Sequence, residues 1–207
     1  MKNKKVLFSK SRLIVSVAIG LAVASFLGIM VPFSQKCENI RENVFRLHIL
    51  ANSDSEEDQA LKLVVRDGIL DLAEEMFKNS ADKAEAIESA KENTLKIKQE
   101  AERVLAEKGY DQKVEISVGK AWFNTREYDD FTLPAGEYDA LKVVIGEGEG
   151  KNWWCVMFPA VCIPAATAEI DDALDKEESE IVHNKTVYKP CFKIVEIFES
   201  IKRFFKR

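Results

Sequence analysis

An uncharged run extends from Leu13 to Pro32 or Phe33, directly after a start, Met1 to Arg12, that holds Lys2, Lys4, Lys5, Lys10 and Arg12 and no acid. This pairing constrains the chain more than anything else in it. At a helical rise of roughly 1.5 Å per residue, a run of about 20 residues just covers a bilayer core of roughly 30 Å. It is longer than the apolar stretch of an ordinary signal peptide. It is also too uniformly uncharged, beside a basic terminus, to read as one helix of a globular core. The sequence therefore predicts residues 1–12 as a basic cytoplasmic region and residues 13–33 as an export signal, either retained as a transmembrane anchor or cleaved. Ala22-Val23-Ala24 is the one A-x-A pattern in the run, but Phe26, Leu27, Ile29 and Met30 follow it, so cleavage there would leave an apolar end. No lipobox leads to Cys37, because Ser34-Gln35-Lys36 is polar. By the positive-inside rule the rest of the chain lies outside the cytosol in either case.

Five of the 30 Lys and Arg precede residue 13, so 25 remain against all 35 acids, and the exported part carries a net charge of −10. Such a balance argues against a nucleic-acid partner. A single domain of this size buries a substantial core without disulfide scaffolding.

Within it, Val44, Arg46, His48 and Leu50 alternate with Phe45, Leu47, Ile49 and Ala51, the period of a strand. Asn52-Ser53-Asp54-Ser55 stops that strand and caps a helix to about Phe77, with Glu56, Glu57 and Asp58 in its first turn and an apolar stripe from Leu61 to Met76. A second long, highly charged helix is expected from about Ala81 to Lys108, ended by Gly109. Val114–Val118 and Tyr138–Ile145 read as further strands, the latter after the turn Pro134-Ala135-Gly136. Val156–Val161 reads as another, confined to an edge by Pro159. From Glu169 to Glu180 seven acids face one lysine, which predicts a solvated, mobile linker over residues 167–186; no D-x-D-x-D-G calcium loop is present in it. Lys193–Arg207 closes the chain as a short amphipathic helix that either packs on the sheet or lies on a membrane surface. The expected fold is α+β: one extracytoplasmic domain (34–166 and 187–207) with a small, mainly antiparallel sheet, two long helices and the terminal amphipathic helix.

Catalytic constellations are missing from this pattern. His48 and His183 are the only histidines, too few for a site of several imidazoles, and HExxH, GxSxG and the aspartic-protease triplet are absent. No metal or cofactor is expected. His48, near Arg46 and Asp54, reads as a structural histidine bonded to backbone. Gly146-Glu147-Gly148-Glu149-Gly150-Lys151-Asn152 departs from a phosphate loop in spacing, and Asn152 stands where Ser or Thr would be needed. It reads as a flexible turn between strands.

What the sequence does concentrate, in Phe131–Ile163, is rare residues: Trp153, Trp154, Cys155 and Cys162 follow that Gly-rich turn directly. Aromatics so placed fill a core or anchor a partner. Adjacent residues of one extended strand face opposite ways, so Trp153 and Trp154 cannot easily share a core, and one of them is expected to be open to a partner. The candidate recognition residues are Trp153, Trp154, Gly148, Gly150 and Asn152, with the polar face of Arg46 and His48 beside them. In an oxidising compartment the spacing of Cys155 and Cys162 predicts a disulfide that fixes the shape of the tryptophan pair.

Three segments resemble the stage II sporulation protein R family: FRLHILANSDSEEDQALKLVVRD at Phe45–Asp67, TLPAGEYDALKVVIGEGEGKNWWCVMFPAVC at Thr132–Cys162, and FKIVEIFE at Phe192–Glu199. That resemblance implies a non-enzymatic signal of endospore formation, made in the forespore and exported into the space between the forespore and mother-cell membranes. There it would activate a membrane-embedded aspartic protease that processes the pro-form of a mother-cell sigma factor. An anchor-like run without a convincing cleavage site is a departure, and a tethered signal would have to reach across the gap. From the residues alone, the alternative is an exported cell-wall enzyme or binding module.

Overall fold

The computed structural model describes residues 10–162 and 170–205. Most of the basic start, residues 167–169 of the expected linker, Ile163, and Lys206 and Arg207 lie outside the described residues.

Helix α1, Lys10–Asn43, is long and apolar enough to cross a membrane, and large apolar side chains from Leu13 to Val31 are exposed along it. Burial then begins at Met30 and continues through Phe33, Cys37 and Ile40. These positions recur at three and four, so they form one helical stripe. The anchor-like run and the folded domain thus share a single helix, and the end of the run predicted over 13–33 belongs to the domain's core.

Strand β1 (Phe45–Leu50) follows, then α2 (Glu56–Phe77), α3 (Lys83–Glu92), α4 (Thr94–Glu107) and β2 (Val114–Phe123). A two-residue ribbon, β3 (Arg126–Glu127) with β4 (Thr132–Leu133), precedes β5 (Gly136–Ile145) and β6 (Asn152–Phe158). The main sheet has the order β2-β5-β1-β6. Its two outer pairings are antiparallel and the central β1–β5 pairing is parallel, so the α+β expectation is met with a mixed sheet. Strands β5 and β6 are consecutive in sequence yet flank β1, and the turn between them therefore crosses the end of β1.

Both faces of the sheet are covered. Phe45, Leu47, Ile49, Leu141, Val143, Cys155 and Met157 pack with α2, α3 and α4, while Val44, Tyr138, Ala140 and Val156 pack with the inner part of α1 and the C-terminal helices. Two-sided burial means that the two polar residues of β1, Arg46 and His48, are themselves buried and half-buried.

Two expected elements differ. The helix expected over 81–108 breaks at Asn93, whose side-chain amide donates to the Ser89 carbonyl at 2.8 Å while the Thr94 hydroxyl donates to the Lys91 carbonyl at 2.6 Å. Such side chains offer the backbone an alternative to the helical ladder. The acidic stretch is not a mobile linker where it is described: Ile170–Ala173 forms a 3-10 turn and Lys176–His183 forms α5, with Ile170, Ile181, Val182 and even Glu178 buried. Asp175 and Glu178 form a reciprocal capping box at its start. The last helix, α6, begins earlier than expected and runs Lys185–Phe205. Its buried residues are Phe192 and Val195, whereas Ile197, Phe198, Ile201, Phe204 and Phe205 are exposed.

Candidate functional site

The Gly-rich turn is clamped, not flexible. Gly150 N–H donates to the Ala51 carbonyl (2.9 Å), Glu149 N–H to the Asn52 carbonyl (3.1 Å), Glu147 N–H to Asn52 Oδ1 (3.0 Å) and Lys151 N–H to Asp54 Oδ1 (2.7 Å). From α2, Lys62 Nζ donates to the Lys151 carbonyl at 3.0 Å. Beneath this lies buried Asp58, which accepts from Ser53 Oγ (2.6 Å), Asn52 Nδ2 (2.9 Å) and Gln112 Nε2 (3.0 Å). Those bonds hold its carboxyl down at about 2, below the usual carboxylate range. Gly148 has φ +67°, the left-handed region, and a side chain at Gly150 would run into the backbone of Ser53. Both glycines are therefore accounted for by the turn and by close approach of two loops. The ANSDS loop and the GEGEGK turn, distant in sequence, form one interlocked unit.

This unit positions β6, an edge strand as Pro159 suggested. Trp153 and Trp154 do face opposite sides of it, one packed against each core. Neither ring is fully exposed, and that of Trp154 lines an open depression. Both are half-buried, and each lies under a guanidinium: Arg66 of α2 stands 4.6 Å from the Trp153 ring and Arg126 of β3 stands 3.5 Å from the Trp154 ring. Cys155 and Cys162 are bonded, with Cα atoms 6.2 Å apart, and Cys162 N–H donates to the Val156 carbonyl at 3.3 Å, folding the chain after β6 back onto the strand. Cys37 and Cys191 are free thiols, and burial pushes that of Cys37 up to about 12, where it is chemically inert.

On the Trp154 side, strand register aligns Lys142, His48 and Trp154 across β5, β1 and β6. The His48 ring stacks on Trp154 at 5.9 Å, and its Nε2 shares a 2.6 Å hydrogen bond with Asn152 Oδ1, so it is bonded to a side chain and not to backbone. Burial, with the charges of Lys142 and Arg46, holds the imidazole's pKa below its ordinary value, against the opposing effect of the Asn152 hydrogen bond. Arg46 is not on an open polar face. It is fully buried under the β3–β4 ribbon, 4.0 Å from the Phe123 ring and 4.8 Å from that of Tyr138, and Nη2 donates to the Tyr128 hydroxyl at 2.6 Å. Its Nε and Nη1 have no hydrogen-bond partner, and it makes no ion pair among the described residues. Arg46 therefore belongs to the support of this face and not to its surface.

A shallow depression of about 440 Å³ opens over the row, lined among others by His48, Lys120, Trp122, Lys142, Trp154 and Arg203, with no acid in its wall among the described residues, though Lys120 reaches Asp139 at 3.1 Å. Neither Lys142 nor Arg203 makes an ion pair among the described residues, and Arg203 lies 5.1 Å from the Trp122 ring. An electropositive, aromatic-walled patch has thus formed on a strongly acidic domain. Sequence reading found His48, Asn152 and Trp154 but missed Lys142, Arg126, Trp122 and Arg203. Alternation along β5 places Lys142 with Tyr138 and Ala140 and would have found it; the others come together only through tertiary structure. Among the described residues no group of three or more His, Cys, Asp or Glu could hold a metal.

The family model described as Stage II sporulation protein R matches residues 41–168, a span that contains the whole sheet and helices α2–α4. The Bacillus subtilis (strain 168) protein described as "Stage II sporulation protein R" is 35% identical over 153 residues, covering 71% of this chain and 68% of that protein. No solved structure matches the chain.

Proposed function

Because the chain belongs to the stage II sporulation protein R family, we propose that it is an exported signal of endospore formation, not an enzyme, acting in the space between forespore and mother-cell membranes. There it activates a membrane-embedded aspartic protease that cuts the pro-sequence from a mother-cell sigma factor. The family match over the whole sheet carries this reading. The α1 helix supports its placement outside the cytosol: a helix able to span a bilayer leads without interruption into the domain.

The recognition surface in this reading is the electropositive face of His48, Lys142, Asn152 and Trp154, held in place by the clamped turn containing Gly148 and Gly150 and, from beneath, by Arg46. Trp153 braces the opposite side of β6 against α2. Half-buried aromatics with charged neighbours on a rigid sheet make a preorganised contact of the kind that dominates binding energy. Deleting the gene and blotting for the sigma-factor pro-form during sporulation tests the reading. Unprocessed precursor is the expected result, and normal processing would refute it.

A further inference from the structure

Helix α6 presents Ile194, Ile197, Phe198, Ile201 and Phe205 along one side, at spacings of three and four, and all are exposed. The stripe is contiguous with the exposed wall of α1: Ile194 and Phe198 share a depression of about 400 Å³ with Phe26, Leu27 and Val31. It cannot swing away freely, because Phe33 of α1 packs on Tyr188 at 5.6 Å and on Phe192 at 5.4 Å, and Glu199 reaches Arg41 at 3.8 Å. The height of α6 above the bilayer is therefore set by α1. A helical span from Leu13 to Val31 covers roughly 28 Å, so Phe26 to Val31 occupy its last turns, at the outer boundary of a hydrocarbon core of roughly 30 Å.

We propose that α6 is an interfacial helix whose apolar stripe is buried in the outer leaflet of the membrane that α1 crosses, so that the domain lies on this membrane instead of hanging from it. The occupant of the stripe is lipid because the surface it continues is itself the lipid-facing wall of a spanning helix. Lys193 and Lys202 flank the stripe on either side, paired with Glu196 and Glu199, the kind of basic border by which an amphipathic helix engages anionic lipid. Docked in this way, the sheet is held in a fixed orientation, which suits a signal that must present one face to a protein in an opposing membrane. The inference rests on α1 remaining as a membrane anchor.

Full-length protein in nanodiscs of phosphatidylcholine and phosphatidylglycerol tests it, with photoreactive benzoylphenylalanine placed singly at Phe26, at Phe198, at Phe205 and, as a control on the far side of the sheet, at Lys96. Lipid adducts are expected at 26, 198 and 205, with yields at least about tenfold above that at 96. Adducts at 26 with 198 and 205 indistinguishable from 96 would overturn the docking of α6 and leave the anchor intact. Failure at 26 as well would overturn both the anchor and the docking. In membranes of sporulating cells, adducts of 198 and 205 to polypeptide instead of lipid would also overturn the proposal, assigning the stripe to a partner's helix.

Discussion

Replacing Gly150 with alanine probes the clamp that sets the geometry of β6. An added Cβ would meet the Ser53 carbonyl oxygen far inside contact distance, the Ser53 carbonyl carbon at 2.6 Å and Ala51 Cβ at 2.9 Å. The obstacle is backbone, so no rotamer change relieves it and the turn must withdraw from the β1–α2 loop. Withdrawal breaks the bonds from Gly150 N–H to Ala51, from Glu149 N–H to Asn52 and from Lys151 N–H to Asp54. At about 1 kcal/mol net for each of these hydrogen bonds, the variant should lose about 3 kcal/mol. For a domain of this size that lowers the thermal midpoint by about 6–12 °C. Gly109→Ala is the control, since its φ of +87° strains an alanine but a Cβ there meets nothing within 4 Å; it should cost only about 1–2 kcal/mol. Thermal unfolding of the full-length protein in detergent, followed by circular dichroism, reads both. A Gly150→Ala midpoint within about 2 °C of the unsubstituted protein would show that the clamp contributes little and would refute the reasoning.

Three further outcomes follow from the same geometry. Arg46→Ala should cost about 3–5 kcal/mol by leaving a cavity under the ribbon, whereas Arg46→Met should cost under about 1.5 kcal/mol because it keeps the volume and removes a buried cation that no carboxylate among the described residues neutralises; equal losses in urea unfolding would contradict this. Asp58 has a depressed carboxyl, so the stability it confers is present above the ordinary carboxylate value of 3.8 and is lost as pH falls from there through about 2. Asp58→Asn should lack that part of the acid limb, and a parallel loss in both proteins on acid titration would sink the assignment. Joint replacement of Cys155 and Cys162 by serine opens a ring with a sequence separation of 7. By loop-closure entropy the loss is about 2.5 kcal/mol, measurable as an unfolding shift that reducing agent reproduces in the native protein.

Much of this architecture was legible in the sequence, for identifiable reasons. Strand β1, helix α2 and the edge position of β6 follow from strict periodicity, a Ser55 cap and Pro159. The Cys155–Cys162 bond followed from spacing and compartment. Charge composition misled at 170–183, where the Asp175 and Glu178 capping box was a visible local signal outweighed by the count of acids. The break at Asn93 lay in residues that hydrogen-bond their own backbone, which a search for apolar stripes passes over. At the site, the burial of Arg46 was hidden because the β3–β4 ribbon that covers it has strands of only two residues each, too short to carry a period. Arg126 over Trp154 and Arg203 over Trp122 join segments far apart in the chain, and no local pattern announces such pairs.

The central claim is that the chain signals through the electropositive face above His48 and Trp154, and reversing charge there tests it most directly. Lys142→Glu combined with Arg203→Glu alters two side chains that make no ion pair among the described residues, so the fold and export should be retained. Introduced at the native locus, the pair should leave the exported protein at its normal level while sigma-factor precursor accumulates unprocessed, as expected when charge at a binding surface is inverted. Normal processing kinetics with both glutamates in place would contradict the account.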